Sequence, residues 1–188
     1  MSELVRTFIA VEVKNQEVLK KLIEARNALV ATSAGLKPVE DENIHLTLRF
    51  IGEIPQVLVR ELCNQISRLE YRKFDMHVKG IGAFPSPLRP RVIWAGVEEG
   101  SEDLKKLHDM IESIVARLGI PREKEEFVPH ITLARVKDQR GIDKLVKLIA
   151  EMSGLDFGYT PVDEVYVKKS VLTPRGPIYS NLCSKKLS

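Results

Sequence analysis

The 188-residue sequence is poor in several features that mark common protein classes. It holds two cysteines, Cys63 and Cys183, far apart and each among apolar neighbours. A disulfide-stapled secreted module or a cysteine-rich metal domain needs more of them, closely spaced. Two buried, reduced thiols are the expectation. No apolar run approaches the roughly 20 residues that cross a bilayer as a helix. The first six residues lack a signal-peptide apolar stretch, so a cytoplasmic location is expected. No stretch is low in complexity. Charge is nearly balanced, at +3 with an isoelectric point near 8.8. That permits a phosphate-bearing partner without arguing strongly for one. Only four histidines exist.

Two of those four sit in matching contexts. Ile44-His45-Leu46-Thr47-Leu48 and Pro129-His130-Ile131-Thr132-Leu133 each read as a short strand. Side chains alternate along a strand, so His45 and Thr47 share one face, and His130 and Thr132 share another. Leu46, Ile131 and Leu133 then point into a core. The two histidines lie 85 residues apart (130 − 45). The same offset matches Glu17, Leu19, Lys20, Lys21 and Leu22 with Glu102, Leu104, Lys105, Lys106 and Leu107, and Ala10 with Ala95. One offset that aligns three elements marks an internal repeat.

The surrounding pattern fits that repeat. Strands are expected over 5–13, 43–51, 74–83, 91–97, 162–172 and 177–183. Apolar stripes predict helices over 14–30, after Pro55, over 102–118 with Ser101 as cap, and around Ile142, Leu145, Val146, Ile149 and Met152. Residues 31–42 and 85–90 read as loops. The chain is then one two-lobed domain, with repeats at roughly 5–84 and 91–173 and a final strand.

Histidine titrates near neutral pH, so a pair supplies a base and an acid at once. A threonine hydroxyl donates to a non-bridging phosphate oxygen. Two of each around one phosphorus suit in-line displacement at a phosphodiester, and the scheme asks for no metal or other cofactor. A single His-x-Thr is weak, because a strand histidine is most often a packed or rim residue. The second copy reverses that preference. Zinc is a poorer fit, since neither strand alternates a carboxylate with its histidine. His77 and His108 read as surface or core-edge residues. Arg49 alternates onto the face of His45 and Thr47, where it would meet substrate phosphate. Arg135 alternates onto the opposite face, and reaches the same region only if the strand bulges. Trp94 and Phe84 could stack a base, though a place in the sheet core suits them better.

Two copies of His-x-Thr-x flanked by apolar residues resemble the signature of the 2H phosphoesterase superfamily. Arg6-Thr7-Phe8-Ile9-Ala10, residues 45–52, Phe84-Pro85, residues 91–94 and residues 129–135 are similar to the RNA 2′,3′-cyclic phosphodiesterase family, also called 2′–5′ RNA ligases. The likeness spans nearly the whole chain. It implies an α+β fold of two similar lobes about a pseudo-two-fold axis. Each lobe would hold a mainly antiparallel sheet with two helices, the active site lying in the cleft between them. It implies hydrolysis of an RNA 2′,3′-cyclic phosphodiester to a 2′-phosphomonoester, with reversible 2′–5′ ligation as the associated activity. It makes His45 the proton donor and His130 the proton acceptor, with Thr47 and Thr132 on the phosphate oxygens and an arginine at Arg135. The expected partners are RNA with 2′,3′-cyclic phosphate ends, tRNA halves and cyclic nucleotides included, and the chain is expected to be monomeric with no membrane partner. The alternative from another class is a non-catalytic nucleotide- or RNA-binding module using the same cleft.

Overall fold

The computed structural model describes residues 3–32 and 35–188. The strands are β1 (Leu4–Glu12), β2 (Leu36–Pro38), β3 (His45–Pro55), β4 (Phe74–Ser86), β5 (Arg89–Val97), β6 (His130–Val136), β7 (Asp156–Val162), β8 (Glu164–Thr173) and β9 (Gly176–Lys186). The helices are α1 (Gln16–Val30), α2 (Gln56–Ile66), α3 (Ser101–Arg117) and α4 (Ile142–Glu151). The stripes read from sequence are the buried faces. Val18, Leu22 and Leu29 are buried on α1, and Leu104, Leu107, Ile111 and Ile114 on α3. Ser101 is the first residue of α3 rather than its cap. The cap is Gly100, whose φ of 88° and lack of room for a Cβ both require glycine.

The described strands form one curled sheet in the order β7-β4-β5-β6-β3-β1-β8-β9, with β2 pairing β6 from the side. The pairings between the described strands are antiparallel. The order is symmetric about the β6–β3 junction, as the repeat requires. It also shows an exchange. β4, from the first half, joins the lobe of β5 and β6. β8, from the second half, joins the lobe of β1 and β3. Helices cross in the same way, α1 and α4 packing on the β4–β7 lobe and α2 and α3 on the β1–β3 lobe. Each lobe therefore has two helices and an antiparallel sheet, but neither is a continuous half of the chain.

Three sequence expectations need correction. Cys63 and Cys183 are bonded to each other, with their Cα atoms 6.1 Å apart. They are not free thiols, because α2 lies against β9 and brings them into register. Residues 156–162 form a strand, β7, where none was expected. Asn15 reaches it, its backbone donating to Thr160 Oγ1 and its side chain to the Tyr159 carbonyl. The expected loop over 31–42 contains a short strand and a 3-10 turn at Asp41–Asn43, while Ser33 and Ala34 lie outside the described residues.

The repeat offset is also not uniform. In β3, Thr47 pairs with Ala10, and in β6, Thr132 pairs with Trp94. The strands beside the motifs are thus related by 84 residues (94 − 10), not 85. The match of Ala10 to Ala95 is one residue out in register.

Candidate active site

The two His-x-Thr strands meet at the sheet's centre, where Leu46 pairs with Ile131. Both side chains are fully buried. In an antiparallel pair that register sets His45 opposite Thr132 and Thr47 opposite His130, all on the other face. All four line one cleft of about 790 Å³. Apolar burial holds the register. A slip of one residue would expose Leu46, Leu48, Ile131 and Leu133, at about 1.5–3 kcal/mol each. The sum approaches the whole stability of an ordinary domain.

Each imidazole is fixed in the same way. His45 Nδ1 donates to the Asn43 carbonyl at 2.6 Å, and His130 Nδ1 donates to the Val128 carbonyl at 2.6 Å. A carbonyl can only accept, so both neutral rings carry their proton on Nδ1 and leave the Nε2 lone pair available. The Thr47 hydroxyl donates to His45 Nε2 at 2.8 Å.

The LigT-like phosphoesterase family model matches the chain twice, over residues 11–94 and 96–179. Each match contains one His-x-Thr strand. The chain belongs to the LigT-like phosphoesterase family.

Relatives match most of the chain. The RNA 2′,3′-cyclic phosphodiesterase of Aeropyrum pernix is 41% identical, over 88% of this chain and 94% of its own. That of Methanothermobacter thermautotrophicus is 35% identical, over 95% and 96%. Escherichia coli LigT, solved in complex with 3′-AMP, superposes with a TM-score of 0.79 at 27% identity, covering 99% of both chains.

Four aromatic side chains flank the two imidazoles. Phe8 and Tyr179 flank His45, with ring centroids 5.2 and 5.4 Å away. Phe84 and Trp94 flank His130, at 5.0 and 6.3 Å. Phe84 and Trp94 thus wall an imidazole. Phe8 could have been found from its register beside β3, but nothing local marks Tyr179, which comes from the last strand. Burial lowers the pKa of both histidines below the usual value. For His45 the Asn43 carbonyl and Glu12 oppose the shift, while Lys168 and His130 add to it. For His130 the Val128 carbonyl opposes it and Arg135 adds to it.

One structural device decides both arginines. The β1–β3 register shifts between Thr47 and Arg49, and the β5–β6 register shifts between Thr132 and Ala134. Matching bulges at Leu48 and Leu133 reverse the alternation beyond each motif. Arg135 is therefore exposed and lines the cleft. Arg49 is turned inward, 4% exposed, and its guanidinium is spoken for. Nε pairs with Glu112, Nη1 donates to the Phe50 carbonyl at 2.6 Å, and Nη2 donates to the Pro121 carbonyl at 2.5 Å. The expectation that Arg49 shares the face of His45 is corrected by the bulge. It anchors the segment leading into β6.

His77 and His108 lie outside the quartet. His77 bonds Asp156 at 2.8 Å and stacks on Tyr159. His108 stacks on Phe127, and with Glu112 and Glu123 forms a group close enough to hold a cation. Arg49 already supplies positive charge to those carboxylates.

Proposed function

We propose that this chain hydrolyses the 2′,3′-cyclic phosphodiester at an RNA end to a 2′-phosphomonoester by two-histidine acid–base catalysis. The convergence of His45, Thr47, His130 and Thr132 on one cleft, with the proton of each neutral ring held on Nδ1 by a backbone carbonyl, carries the reading. Family relatives named RNA 2′,3′-cyclic phosphodiesterases support it. His130 Nε2 takes a proton from water as the water oxygen bonds to phosphorus. The bond from phosphorus to O3′ breaks, and protonated His45 gives its Nε2 proton to O3′. Thr47 and Thr132 donate to the non-bridging oxygens. One proton enters at His130 and one leaves from His45, so the step balances. The same displacement with an RNA 5′-hydroxyl in place of water joins the two ends through a 2′–5′ phosphodiester, and its reversal, attack of O3′ on that phosphodiester, re-forms the cyclic phosphate. A monomer acting in the cytoplasm on RNA fragments or cyclic nucleotides completes the reading.

Burial favours neutral imidazoles, which suits His130 as base. His45 becomes an acid when a bound phosphate anion stabilises its charge. Thr47 then releases Nε2 and turns to the phosphate. The test is turnover of a nucleoside 2′,3′-cyclic phosphate and of a short RNA with a cyclic end, in the presence of a chelator. A 2′-phosphate product is expected from both. Binding of both without turnover supports the non-catalytic module instead.

A further inference from the structure

The two imidazoles are held alike, but the peptides that hold them are not. Asn43 and Val128 stand at the repeat offset (128 − 43 = 85). Each offers its backbone carbonyl to Nδ1 of the histidine two residues on. Val128 is exposed, and its side chain has no polar atom. Asn43 is buried, 5% exposed, and its Nδ2 donates to the Pro177 carbonyl at 2.8 Å. A buried amide costs free energy unless its hydrogen bonds are made. This one makes its bond to a residue 134 positions away, near the start of β9.

β9 is the last strand on its side of the sheet, with β8 and β1 between it and β3. The curl of the sheet returns it to His45. Tyr179, two residues after Pro177 and so on the same side of β9, meets the imidazole edge-on at 5.4 Å between ring centroids. β9 thus reaches His45 twice, directly through the Tyr179 ring and indirectly through the Asn43 amide. The 3-10 turn Asp41–Asn43 supplies a further bond, from the Asn43 backbone to the Glu40 carbonyl at 2.9 Å. Such turns have poorer hydrogen-bond geometry than α-helices, so a long-range tie matters at the end of one.

We propose that the Asn43 side chain is a positioning residue for His45: fastened to β9, it aims the carbonyl that keeps the His45 proton on Nδ1 and so presents Nε2 to the cleft. The kinetic consequence rests on the cyclic phosphodiesterase reading, in which His45 is the acid. A hydrogen bond from a charged imidazole is about twice as strong as one from a neutral ring, so the carbonyl counts most when His45 carries its proton to the leaving oxygen. Burial lowers the His45 pKa, and the Asn43 carbonyl is the first group to oppose it. With the carbonyl loosened, burial is less opposed and His45 loses its proton at lower pH. The titratable groups that act on His45 are Glu12 on β1, Lys168 on β8, His130 on β6 and, edge-on, Tyr179 on β9. Replacing Asn43 adds or removes no charge among them.

Two measurements on the wild type and Asn43→Ala test this, with Asn43→Ser, whose donor sits one bond shorter, in its place should Asn43→Ala not fold. Nitrogen-15 NMR of the neutral imidazoles reports which nitrogen carries the proton. Both wild-type rings are Nδ1–H. In the variant His45 becomes a mixture of tautomers and His130 does not change. The second measurement is the pH profile of kcat and KM on uridine 2′,3′-cyclic phosphate. In the variant kcat near pH 7 falls about tenfold and the alkaline limb moves down by about one pH unit, the worth of a hydrogen bond to a charged group. The acid limb, set by His130, and KM stay in place. A His45 that keeps its Nδ1 tautomer in the variant, or an unmoved alkaline limb, overturns the positioning role and leaves the phosphodiesterase reading intact. Equal disturbance of both histidines, as general loosening would give, overturns it too. A wild type that does not hydrolyse the substrate overturns the phosphodiesterase reading, and the NMR comparison then decides the positioning role alone.

Discussion

At the scale of single residues, the site is two imidazoles whose roles depend on the protons they hold. Both pKa values are lowered by burial, so the free protein holds both rings neutral near pH 7. A bound phosphate anion raises the pKa of the ring that serves as acid. Binding a non-hydrolysable 2′-phosphate product analogue near pH 7 should therefore take up a proton. Calorimetry in buffers of different ionisation enthalpy measures it, and zero uptake would contradict a histidine charged by the substrate. The sign for stability follows from the same shift. A histidine with a depressed folded pKa favours folding above its unfolded value, near 6.5, and that contribution is lost as pH falls toward the folded value. The rate should be bell-shaped in pH, falling where His130 is protonated and where His45 cannot be charged. Thr47→Ala and Thr132→Ala each remove a hydrogen bond rather than a proton route. They should lose less activity in single-turnover assays than either histidine variant.

At the scale of elements, the bulges at Leu48 and Leu133 matter as much as the motifs they follow. They turn Arg49 from a substrate contact into an anchor for the segment after α3. Arg49→Met should leave the Glu112 carboxylate buried without its partner, and chemical denaturation should show a loss of about 3–5 kcal/mol. Arg49→Lys keeps the charge but not the fork, so it should recover only part of that loss. An Arg49→Met protein as stable as the wild type would contradict the anchoring role. The faces of His45, Thr47, His130 and Thr132 were legible because alternation holds over three residues. The face of Arg49 was not, because one inserted residue reverses the side chains that follow it, up to a second shift between Phe50 and Gly52, and leaves no local mark. Arg135 was legible only as a condition, and the bulge meets it. β7 escaped notice for a different reason. Asp156, Gly158 and Pro161 are weak strand formers, and the segment is held by pairing with β4 and by Asn15.

At the scale of the whole molecule, the repeat announced two lobes but not how they share the chain. The exchange of β4 and β8, and of α1 and α3, ties the lobes together by strands and helices that cross between them. Contacts of that kind join residues far apart in sequence, so no local pattern records them. The Cys63–Cys183 bond belongs to the same class, since it closes a separation of 120 residues. It ties α2 to β9, the strand that carries Tyr179 to His45. Cross-links over loops of this size contribute about 2–5 kcal/mol, so a reductant or Cys183→Ser should lower stability by that amount. Denaturation with and without reductant measures it, and no difference would contradict the bond. RNA affinity should weaken with salt, modestly, because the net charge is only +3.

The claim on which the rest depends is that His45 and His130 act together in one displacement. Single-turnover hydrolysis of an RNA 2′,3′-cyclic phosphate end, by the wild type, His45→Ala, His130→Ala and the double variant, tests it most directly. Each single variant should lose about 10² to 10⁴-fold, the usual worth of a general acid or base. The double variant should be little slower than the poorer single one, because the two groups act as a unit. A folded His45→Ala or His130→Ala protein with wild-type activity would contradict the two-histidine mechanism.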